Sequence, residues 1–152
     1  MSRSHRISAL VSAVGIVISA YLLSIRLIGI PAICGPALGP FGGCSKVEAS
    51  AWSSIGPIPV AAIGVVGSAL LLVATVLHAR TRREDVLAVW LFAALAGAAI
   101  EIGLIAIQAF LIKAWCVWCL LYGSTVLVGA ASVIRVARSY AREAHDSSPL
   151  RR

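Results

Sequence analysis

Ala114-Trp-Cys-Val-Trp-Cys-Leu-Leu-Tyr-Gly-Ser-Thr-Val-Leu-Val-Gly-Ala-Ala-Ser-Val-Ile134 runs for 21 residues without a charged side chain. A helix needs roughly 20 apolar residues to cross a hydrocarbon core of about 30 Å. Three more windows meet that length: Ile58–His78 carries no charge, Val86–Ile112 carries only Glu101, and Ile7–Ile33 carries only Arg26. Backbone polar groups in lipid must be satisfied within the segment, so each window reads as a helix. The expected fold is an all-α, four-helix transmembrane bundle, with spans at about 7–30, 58–79, 86–112 and 115–136 within a membrane domain of residues 1–140. Residues 141–152 read as a basic, disordered tail.

Composition agrees. The chain has 152 residues, 60% hydrophobic and 12% charged, about half the charged share of a soluble domain. The first span follows Arg3 and Arg6 as a signal peptide would, but its apolar stretch exceeds a signal core and no small-x-small cleavage site follows it. It reads as an uncleaved span.

The net charge of +7 first suggests nucleic acid. Its placement points elsewhere. Arg3, Arg6, Arg80, Arg82, Arg83, Arg135, Arg138, Arg142, Arg151 and Arg152 all fall on one side of a four-span chain, while Lys46 and Lys113 fall on the other. The positive-inside rule then sets both termini in the cytoplasm, with the basic tail against anionic lipid. No basic–aromatic interleaving supports a nucleic-acid partner. This topology carries Cys34, Cys44, Cys116 and Cys119 to the extracytoplasmic side of the cell membrane, where disulfides persist.

Pro31–Pro57 is the one long polar connection. Gly35, Pro36, Gly39, Pro40, Gly42 and Gly43 exclude a regular helix around its cysteines. Such a loop can bring Cys34 and Cys44 together or swing one away. Beyond Cys44, the residues Val47, Ala51 and Ile55, with Trp52, fall near one helical face. They predict a short amphipathic helix at the membrane interface. Gly64 with Ser68, Ala93 with Gly97, and Gly123 with Gly129 would let helices approach closely.

Cys116 and Cys119 lie three apart, on one helical face and at a helix start. The helix dipole there lowers a thiol pKa, which suits a reactive dithiol. Three chemistries compete. Zinc needs four thiolate or imidazole ligands, yet nine residues separate Cys34 from Cys44, and His5, His78 and His145 fall on the opposite side. Static disulfides in a non-enzymatic membrane scaffold are the alternative function. A redox relay by thiol–disulfide exchange between two cysteine pairs fits best, with a lipid-dissolved quinone as the natural two-electron sink.

At these residues the chain resembles a bacterial homologue of vitamin K epoxide reductase. The resemblance rests on the loop cysteine pair, Cys44-Ser45-x-Val47, Ser50, the run from Ile58-Pro59-Val60 to Gly64, and the Trp-Cys-x-x-Cys that opens the last span. It covers roughly Tyr21 to Tyr122. The disulfide-bond-formation protein B type shares the logic but carries its Cys-x-x-Cys in the first outer loop.

The resemblance implies a membrane thiol–disulfide oxidoreductase that supports disulfide formation outside the cytoplasm. Electrons would pass from a reduced thioredoxin-like (DsbA-like) protein to a membrane quinone, menaquinone or ubiquinone. Cys34 would meet the thioredoxin-like protein, which is expected to be a separate chain. Cys44 would bond transiently to Cys116, and Cys119 would lie against the quinone. Ser50 would position the relay, and Gln108 and Tyr122 would line the quinone pocket. The chain departs from the family in several places: it has Pro57 where the family has Gly, it contains no Asn to meet a quinone carbonyl, and it has Gly123 where vertebrate members carry Tyr. Glu101 reads either as a proton relay or as a packed structural carboxyl. Arg26 reads as a snorkelling side chain, and Tyr21 gives no functional signal by itself.

Overall fold

The computed structural model describes residues 2–34 and 40–146. Helix α1 spans Arg3–Ile28. It begins at Ser2, whose hydroxyl accepts from the His5 N–H at 3.4 Å. It ends at Gly29, which takes the left-handed φ of 78° that a helix C-terminus favours. A short helix α2, Cys44–Glu48, and a 3₁₀ turn, Ala51–Ser53, come next among the elements. Strands β1 (Ser54–Ile55) and β2 (Ile58–Pro59) then form an antiparallel hairpin around Gly56 and Pro57. Helices α3 (Val60–Thr81), α4 (Glu84–Ala106) and α5 (Val117–Asp146) complete the chain. Between α4 and α5, Ile107–Ile112 winds as a π-helical turn.

All four long helices have the length and apolar character to cross a membrane. Helix α1 packs on α3 and α5, and α4 closes the ring against the same two. The distribution of polarity is inverted relative to a soluble protein. Leu10, Val17, Leu70 and Phe92 point outward, while Ser8, Ser12, Ser19, Ser68, Thr75, Glu101 and Gln108 are buried. Only an apolar solvent favours that arrangement. The chain is therefore a multi-pass membrane protein with the expected all-α bundle.

The apolar core lies between α4 and α5, where Leu87, Trp90 and Ala94 meet Ala130, Val133 and Val136. Beside it, His5 Nε2 and His78 Nδ1 are 3.0 Å apart, tying α1 to α3. Small residues set the closest approaches elsewhere. A Cβ on Gly15 would lie 2.9 Å from Ser68 Oγ, and one on Gly64 would lie 3.3 Å from the Tyr122 ring.

Two local outcomes differ from the sequence expectation. The single interfacial helix is shorter, because Ser50 is extended (ψ 155°) and its hydroxyl donates to the Val47 carbonyl at 2.6 Å. Side-chain competition of this kind ends short helices, and Ile55 consequently falls on a strand. Helix α5 continues through Asp146, carrying the start of the expected tail in helical form. The rest of that tail lies outside the described residues.

Candidate functional site

Cys116 precedes α5 at its N-cap position. Its sulfur accepts from the Cys119 backbone N–H at 3.3 Å, the bond a capping Ser or Asp oxygen would make. Cys119 follows at the third helical position, half-buried. Both are free thiols, whereas Cys34 and Cys44 form a disulfide. Cys116 lies one residue ahead of the membrane-crossing helix. The Cys119 thiol donates to its sulfur and holds the Cys116 thiol below the usual range. The Cys119 and Trp118 backbone N–H groups act in the same direction, and burial opposes them.

Backbone pairing brings the loop to this dithiol. Gly42 bridges Cys116 in antiparallel fashion, and the Gly43 N–H donates to the Trp115 carbonyl at 2.9 Å. Only glycine fits at position 43, where a Cβ would lie 2.8 Å from the Ala114 Cβ and 3.1 Å from the Trp115 oxygen. Cys44 follows directly, almost fully buried. Two aromatic side chains hold the other end of the loop. Trp118 Nε1 donates to the Ile33 carbonyl at 3.2 Å, the Ile33 N–H donates to the Tyr21 hydroxyl at 3.2 Å, and the two rings pack with centroids 4.9 Å apart. Sequence reasoning missed Tyr21 because nothing local marks an aromatic residue as a loop anchor. The Arg26 guanidinium, expected to snorkel, donates to the Glu48 carbonyl at 2.8 Å and ties α1 to the end of α2.

Gln108 sits on the π-helical turn with its Oε1 accepting from the Cys116 N–H at 3.0 Å. Its backbone carbonyl also accepts from the Ala114 N–H at 3.2 Å. The π-turn therefore fixes the start of the dithiol segment twice. Such turns are rare and concentrate at functional sites.

Below this lid lies a cavity of about 140 Å³. Cys44, Cys116, Cys119, Gln108, Glu101 and Tyr122 share its lining with mostly apolar walls. Its size suits one aromatic ring, since an apolar cavity of about 150 Å³ accepts benzene. Tyr122 donates to the Gly64 carbonyl at 3.2 Å and lies 3.3 Å from Ser68 Oγ. Ser50 also reaches the cavity edge. Of the residues singled out from sequence, Cys44, Cys116, Cys119, Ser50, Gln108 and Tyr122 thus converge on one space, and Cys34 is bonded to one of them.

No curated protein matches the chain. The family model described as the vitamin K epoxide reductase family matches residues 6–134, a stretch that holds both cysteine pairs, all of α3 and α4, and most of α1 and α5. The chain therefore belongs to the vitamin K epoxide reductase family, a membership that makes it a redox enzyme of the membrane thiol–disulfide class.

Proposed function

We propose that the protein oxidises a thioredoxin-like dithiol protein on the extracytoplasmic side and delivers the electrons to a membrane quinone. The observation that carries this reading is the shared cavity. An oxidised loop pair and a reduced Cys116/Cys119 pair meet at one apolar space of ring size.

The exchange balances at each step. A partner thiolate attacks Cys34, and Cys44 leaves as a thiol. The partner's second thiol then displaces Cys34, so the partner is oxidised and the loop pair reduced. Cys44 next attacks Cys116 of an oxidised Cys116–Cys119 bond, releasing Cys119. Cys34 resolves the mixed disulfide, which restores Cys34–Cys44 and leaves Cys116 and Cys119 reduced. The described bonding pattern matches that last state, with two electrons held at the inner pair. A quinone in the cavity would accept two electrons and two protons as Cys116 and Cys119 close their disulfide. Gln108 holds Cys116 at the cavity mouth through its backbone, and Ser50 and Tyr122 are assigned to positioning. On this reading the cysteines are extracytoplasmic and both termini cytoplasmic, an orientation that the arginine placement supports.

The test is direct. Protein in nanodiscs is mixed with a reduced dithiol protein and a soluble quinone, and quinone absorbance is followed. Turnover is expected in the wild type and is expected to be lost in Cys119→Ala. Full turnover in that variant overturns the reading.

A further inference from the structure

We propose that Glu101 is the proton carrier between Cys119 and the electron acceptor, an inference that rests on the quinone-reducing reading above. Glu101 lies near the middle of α4 and is almost fully buried. Its carboxyl packs onto Gly123 of α5 so closely that a Cβ there would lie 2.5 Å from Oε1. Gly123 is one helical turn beyond Cys119, and residues four apart on a helix share a face. Glu101 is therefore directed to the stretch of α5 that begins at Cys119, and both line the cavity.

The other titratable groups on that cavity are Arg26 from α1, Glu48 from α2, Cys116 just ahead of α5, and Tyr122 from α5; α3 contributes none. Among the described residues the one ion pair is Arg83–Asp85, so no cation holds Glu101 in place. A packing role explains the site poorly. A carboxylate is costly near the middle of a membrane helix, and an apolar side chain would fill the space without that cost. A carboxyl that shares a mostly apolar cavity with a thiol supplies the proton transfer that dithiol oxidation needs.

The balance is as follows. Closing the Cys116–Cys119 bond breaks two S–H bonds and releases two electrons and two protons. Both electrons go to the quinone, and two O–H bonds form there. Glu101 takes the Cys119 proton on one oxygen and donates a proton from the other to the nearer quinone oxygen, ending unchanged. The Cys116 proton leaves toward the extracytoplasmic water, which supplies the second O–H proton.

The first experiment needs no quinone. In a Cys116→Ser background, with quinone removed, the alkylation rate of Cys119 by a small membrane-permeant maleimide is measured against pH. With Glu101 present, the profile is expected to show two linked ionisations. In Glu101→Gln it is expected to collapse to a single-proton curve. Superimposable curves overturn the proposal, whatever the fate of the quinone reading.

The second experiment measures turnover in chains with all four cysteines. Glu101→Gln is expected to lower kcat about 100-fold, with KM within about twofold. Glu101→Asp is expected to recover part of the loss. Gly123→Ala, which keeps the carboxyl but pushes it off the helix, is expected to behave like Glu101→Gln, and combining the two to cost little more. Unchanged kcat in Glu101→Gln, with Cys119→Ala inactive, overturns the proton role and leaves the relay standing.

Discussion

Cys116 occupies the position where a helix usually places a serine or an aspartate. A sulfur that caps a helix collects N–H groups, and those groups favour its charged form. The thiol donated by Cys119 adds the largest share of that preference. The sign follows from the lowered pKa: Cys116 stays a thiolate as pH falls below the range where a free thiol would have protonated. Stability drawn from these bonds is present at higher pH and is lost as pH falls through the lowered value. In Cys119→Ala the donor is gone, so the Cys116 pKa should rise toward that of an ordinary thiol. Alkylation of Cys116 near neutral pH should slow severalfold, with its midpoint moved to higher pH. A pH series with a small iodoacetamide, read by mass spectrometry, checks this. The cysteines themselves were legible in the sequence because thiol chemistry is a property of residue type. The Glu101–Gly123 contact was not, because nothing in either local segment says that they touch.

At the scale of the element, the π-helical turn Ile107–Ile112 does most to shape the site. It inserts extra length into the last turn before Lys113, whose left-handed φ of 52° ends the helix. The wider turn lets Gln108 serve both Ala114 and Cys116. Deleting Phe110 should restore ordinary α-helical winding and remove the wide turn from which Gln108 reaches both Ala114 and Cys116, so the dithiol segment loses its two anchors. The bundle should assemble, since the α4–α5 core around Trp90 lies well away from this turn. Turnover should drop about 100-fold, as misplacement by about 1 Å can cause. Size-exclusion behaviour together with quinone reduction separates loss of geometry from loss of fold. Nothing along the chain marks this turn, because apolar residues on a membrane helix are compatible with either winding. The interfacial segment was partly legible. Its helix was expected, but the break at Ser50 and the hairpin around Gly56 depend on backbone choices that apolar periodicity does not register.

For the whole molecule, orientation is the decisive property, since a disulfide-forming site must face an oxidising space. The proposed orientation rests on the arginine asymmetry, which by the positive-inside rule favours cytoplasmic termini. A cysteine placed by Arg80→Cys in a chain whose four native cysteines are replaced by serine should resist a membrane-impermeant maleimide in intact cells. Native Cys34, after mild reduction of the otherwise unaltered chain, should react. Labelling of the Arg80→Cys chain from outside would reverse the assigned topology. The polar interior adds a second constraint at this scale. Buried Ser8 and Thr75 hydroxyls lie 3.1 Å apart, and the His5–His78 contact joins the same two helices, so α1 and α3 are registered by polar contacts rather than by apolar area. In lipid, where apolar burial drives little association, such contacts and close small-residue packing select one arrangement.

The sequence by itself determined the number of spans, their helical character, the side on which the arginines gather and the two cysteine pairs. Each follows from composition along one dimension: charge-free length, charge placement and residue chemistry. Only the tertiary structure decided which loop residues meet the dithiol, through the Gly42–Cys116 pairing and the space that Gly43 leaves. It alone placed Glu101 against Gly123, and Tyr21 beside Trp118. These contacts join residues far apart in the chain, and helix rotation and register set them. A run of apolar residues leaves both free until the helices pack.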